Sequence, residues 1–110
     1  MSSEVYVQDI VRDAAGQVVV VATPNRRTDC LRVGDMFVVR YEISKQDARD
    51  GVLNPSRLNV ERVALEITKI QPHRLGGEVQ ELLGASGAAA GFYLAGDGLE
   101  RITPGCLLQT

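Results

Sequence analysis

Apolar and polar residues alternate from Glu4 to Arg12, with Val5, Val7 and Val11 set against Glu4, Gln8 and Arg12. A period of two predicts a strand with one covered face, and the phase slips near Asp9–Ile10. Asp13 and Gly16 mark a turn. Val18 to Ala22 then runs apolar and β-branched without a polar phase, as in a strand covered on both sides, until Pro24 and Asn25 stop it. After a tight turn at Gly34–Asp35, Phe37, Val39, Tyr41 and Ile43 share one phase, and Arg40 and Glu42 are expected to face solvent.

The polar stretch from Ser44 to Asn59 interrupts the pattern. Ser44 with Asp47 three residues on resembles a capping box, and Gly51 suits a helix end, so one or two helical turns are expected there. Val63, Leu65 and Ile67 resume the alternation against Glu66 and Thr68. Glu78 to Leu83 fits a short strand or a helical turn equally well. Gly91 to Gly96 is a compact apolar strand, and Cys106 to Gln109 is a last short one. Six or seven short strands with almost no helical periodicity indicate an all-β barrel or sandwich.

With 110 residues and 45% apolar and 24% charged positions, the chain is long enough for one core and reads as a single domain, 1–110. Twelve basic against fourteen acidic residues give a net charge of −2, which provides no bulk attraction to nucleic acid or anionic membrane. No apolar run is long enough to span a bilayer as a helix, and "MSSEVYVQD" lacks the features of a secretory signal. Cys30 and Cys106 form neither a disulfide framework nor a metal-ligand spacing. A cytoplasmic protein without metal or cofactor is expected.

The stretch "LLGASGAAAGFYLAGDG" looks most like chemistry, and three motifs test it. A phosphate-binding P-loop needs a lysine after its second glycine, and none is present. A nucleophile elbow around Ser86 needs its second glycine one place later, with a helix to follow. A dinucleotide loop also needs that helix. What remains is a turn at Gly84 and Gly87, with small residues from Ala88 to Gly91 that let a strand pack closely.

The order of segments is more specific than any one of them. Leu31-Arg32-Val33-Gly34-Asp35, the small-residue run leading from Gly87 to Gly96, and Ile102 to Leu108 follow one another. Over roughly Val5 to Gln109 this order resembles the second domain of translational GTPases such as elongation factor Tu. The glycine-rich start of that family's second strand is reduced here to Gly16, and Ser44 to Asn59 is longer than its usual connection. The resemblance implies a small antiparallel β-barrel of six to seven strands, here with one short helical excursion. It also implies a barrel without its GTPase partner domain, hence no nucleotide chemistry, and a role near transfer RNA by analogy only.

Among individual residues, Arg26 and Arg27 form a basic pair in a loop and can grip phosphate or an acidic partner, although surface charge of this kind also serves plain solvation. His73, the only histidine, with Arg74 beside it, is the next candidate for binding; it has no partner at a triad spacing, so catalysis is not expected. The five tyrosines and phenylalanines fall within strand patterns and read as core or wall. The reading is a non-catalytic, cytoplasmic module that binds a protein partner, as an adaptor or an immunity- or inhibitor-like protein would. The Ser44–Asn59 excursion is a natural place for its surface. The alternative is an RNA-binding accessory domain that contacts transfer RNA or other translation components through Arg26, Arg27 and Arg74. A membrane partner is not expected.

Overall fold

The N-terminal alternation becomes β1 (Glu4–Arg12), which pairs antiparallel with β2 (Val18–Pro24). The structure, a computed structural model, describes residues 3–25, 30–51, 56–72, 77–83 and 89–110. The phase slip near Asp9 is a register shift between Val7 and Asp9 in this pair. Asp13 ties the β1–β2 turn by accepting from the backbone N–H groups of Ala15 and Gln17, both at 2.9 Å.

The chain continues through β3 (Cys30–Arg32), β4 (Met36–Glu42), a short helix α1 (Lys45–Asp50), the long β5 (Leu58–Pro72), β6 (Glu81–Leu83), β7 (Ala90–Asp97), a 3₁₀ turn (Leu99–Arg101) and β8 (Leu107–Gln109). Six strands close into an antiparallel barrel in the order β1-β2-β7-β5-β4-β8, and β1 pairs with β8 to complete the ring. β3 and β6 form a separate two-stranded ribbon. The expected all-β barrel with one helical excursion is therefore what the chain forms. The helix is bounded as its sequence indicated: the Ser44 hydroxyl accepts from Asp47 N–H at 3.0 Å, and Gly51 closes it in the left-handed region at φ 66°.

Val5, Val7, Val20, Phe37, Leu65, Ile67, Ile70 and Phe92 fill the barrel, with the two phenylalanine rings edge to face at 6.5 Å. Leu31 and Leu82 bring the β3–β6 ribbon onto this core, and Ile102 and Cys106 enter it from the segment between β7 and β8. Of the small residues before Phe92, Gly91 serves close approach, since a Cβ there would stand 2.8 Å from Val19 Cγ1; the expected turn at Gly84 and Gly87, and Ala88, lie outside the described residues.

One expectation fails inside β4. Arg40 is not solvent-facing; it is only 6% exposed. Register shifts in the β4–β5 pairing between Phe37 and Val39, and again between Arg40 and Glu42, break the alternation of the strand. The buried guanidinium is compensated by donating to the Arg101 carbonyl (2.8 Å), Glu42 Oε2 (3.0 Å), the Asn59 carbonyl (3.1 Å) and Thr103 Oγ1 (3.0 Å).

Candidate functional site

The four residues singled out for binding, Arg26, Arg27, His73 and Arg74, lie outside the described residues. Their flanks do not. Ala90 of β7 pairs with Ala22 of β2 and with Pro72 of β5, so the strands that lead into both basic segments end at one rim of the barrel.

The thiols lack the surroundings that activate sulfur. Cys106 is fully buried, and burial pushes its pKa up. Cys30 is partly buried; burial, then hydrogen bonding to Glu81, pushes its pKa up too, against a smaller opposing pull from Arg32. Both cysteines therefore hold their protons at neutral pH. Among the described residues, no cluster of three histidine, cysteine or carboxylate groups is placed to hold a metal. Ser86 also lies outside the described residues.

The outer wall carries two polar latches. Tyr93 donates to Asp13 Oδ2 at 2.9 Å, and Lys69, 4.8 Å above the Tyr93 ring, pairs with Glu78 at 3.2 Å. The backbone bond from Gln17, then the Tyr93 bond, holds the Asp13 carboxyl below its ordinary range. On the other side, the Tyr41 hydroxyl donates to Glu4 Oε2 while the Arg57 guanidinium lies 4.3 Å over its ring. Burial first, and the Glu4 carboxylate second, raise the Tyr41 pKa far above the usual phenol range. Both tyrosines are thus satisfied wall residues.

Exposed apolar side chains are not spread evenly. Among the described residues, Met36 (44% exposed) and Val38 (42%) on β4, and Leu58 (44%) and Val60 (54%) on β5, belong to one hydrogen-bonded strand pair; Tyr6 and Val11 on β1 are the other large ones. Isolated exposed hydrophobes are ordinary; here four share two paired strands, although the register sets Met36 opposite Glu66 and Leu58 opposite Glu42, with exposed Glu61 and Arg62 between the two ends. The signal was present in the sequence, since Met36 and Val38 fall out of phase with the buried Phe37. Leu58 falls within the Ser44–Asn59 excursion already expected to carry a surface.

Beside this pair lies an open groove of about 450 Å³, lined among others by Arg62, Ala64, Gly96, Asp97, Gly98 and Arg101. It forms where β5 and β7 part, because β7 pairs with β5 only from Ala64 onward. Its walls mix cations and anions.

A small closed β-barrel with an apolar strand pair on its wall is the class that fold and surface define. Comparison with protein-family models, curated proteins and solved structures finds no match to this chain.

Proposed function

We propose that this protein is a non-catalytic binding module that acts through protein–protein contacts, with the β4–β5 pair as the contact surface. The observation that carries the reading is the exposure of Met36, Val38, Leu58 and Val60 along those two paired strands. The protonated, partly or fully buried thiols support a binding role over thiol chemistry. A rigid barrel that presents side chains from strands suits recognition by a preformed surface. The resemblance to the second domain of translational GTPases suggests a partner within the translation apparatus, and an adaptor or an immunity-like protein of the cytoplasm fits the same surface.

Affinity capture from native cytosol, with and without RNase, compares the wild type with a Val38→Glu/Val60→Glu double variant. The reading expects a stoichiometric protein that survives RNase and is lost with the double variant. Captured RNA that RNase removes, with no dependence on Val38 and Val60, contradicts it and favours the transfer-RNA role.

A further inference from the structure

Among the described residues, the first part of β5 has no strand partner on the side away from β4 and forms an open edge. Residues from Leu58 to Val63 pair with β4 on one side, whereas β7 joins β5 only from Ala64. Such an edge, bearing exposed Leu58 and Val60, is a template for pairing with another chain. Two carbonyls of this stretch are already occupied. Arg101 Nη1 donates to the Arg62 carbonyl at 3.0 Å, and Arg40 Nη1 donates to the Asn59 carbonyl at 3.1 Å.

The two arginines act together. Arg40 Nε also holds the Arg101 carbonyl at 2.8 Å, and this fixes the 3₁₀ turn from which Arg101 reaches the edge. Asn59 adds a backbone device: its φ of 51° lies in the left-handed region, and its side chain donates to Glu42 at 2.7 Å. A residue in that conformation kinks the strand and spoils a flat pairing register.

We propose that Arg40, Arg101 and Asn59 guard the open edge of β5 against antiparallel pairing with a second copy of this chain. The side chain of Arg101 is the removable part of the guard, because it reaches Arg62 across the surface and its further contact, to Glu100, is long at 3.9 Å. This inference does not depend on the identity of any partner protein.

Sedimentation velocity over a concentration series, combined with amide hydrogen exchange, tests it. The wild type is expected to stay monomeric. Arg101→Ala should self-associate about tenfold more tightly, the effect of one net hydrogen bond, with new protection confined to residues 58–63. Adding Val60→Lys to that variant should abolish the association, since a charge on the edge blocks pairing. Arg101→Gln, which keeps donors, should behave more like the wild type. Asn59→Val gives a second route to the same dimer should Arg101→Ala fail to fold. A folded Arg101→Ala that remains monomeric, a wild type that dimerises through residues 58–63, or association mapped to another surface overturns the proposal.

Discussion

Four acceptors, on β4, β5 and the β7–β8 connection, share one buried guanidinium. Replacing Arg40 with methionine leaves the Glu42 carboxylate with Asn59 but without its cation, and deprives the Arg101 and Asn59 carbonyls and the Thr103 hydroxyl of that donor. We expect Arg40→Met to lower unfolding free energy by about 2–4 kcal/mol, read as a lower urea midpoint at unchanged slope. This role was not legible in the sequence. Arg40 stands in the polar phase of an alternating strand, and only the register shifts created by closing the barrel turn it inward. Tyr41 and Tyr93, by contrast, could be read as wall residues from strand phase alone.

Titration belongs to the same scale. The Asp13 carboxyl is held low by the Gln17 N–H and Tyr93, and Glu42 by Asn59 and then Arg40. Because the folded-state values lie below the unfolded ones, this stabilisation is present at neutral pH. It is lost as pH falls from the ordinary carboxylate range near ~4 through the depressed folded values. Asp13→Asn should therefore flatten the acid limb of melting temperature against pH, while a parallel curve would refute the assignment. Cys106 should resist alkylation at neutral pH until the chain unfolds, with Cys30 slow and not hyper-reactive; rapid labelling of either thiol would reopen a catalytic reading.

Elements with local signals were legible, and those that depend on distant partners were not. Helix α1 announced itself through Ser44, Asp47 and Gly51, because a cap is made within a few residues. Ser44→Ala should cost about 1 kcal/mol in thermal or urea unfolding, by freeing the Asp47 N–H. Strand β6 was ambiguous because its pairing partner, β3, lies about fifty residues earlier, at Cys30–Arg32. At the end of β7, Gly96 adopts φ 134°, and a Cβ there would overlap the Ala64 carbonyl oxygen. Gly96→Ala should accordingly be among the most damaging single-methyl additions, about 2–4 kcal/mol, from strain and from disruption of the β5–β7 ladder together.

At the scale of the molecule, the fold class followed from strand phase and turn residues, and the barrel closes where the last short strand, β8, bridges β1 and β4. The surface was harder to read. Leu58 and Val60 lie about twenty residues beyond Met36 and Val38, and only strand pairing puts all four on one pair of strands. The basic pairs Arg26–Arg27 and His73–Arg74 stood out by composition, and their flanking strands meet at one rim, near Ala90. A partner gripped chiefly by apolar strands should show binding that weakens only slightly with salt, whereas a phosphate-bearing partner would give a steep slope.

Amide hydrogen exchange on the complex with the captured partner decides between these two faces. Protection gathered over residues 36–38 and 58–60, with the rim around Asn25, Pro72 and Ala90 unchanged, is the predicted result. Protection confined to that rim, with 36–38 and 58–60 exchanging as in the free protein, would contradict the assignment of β4 and β5 as the binding surface.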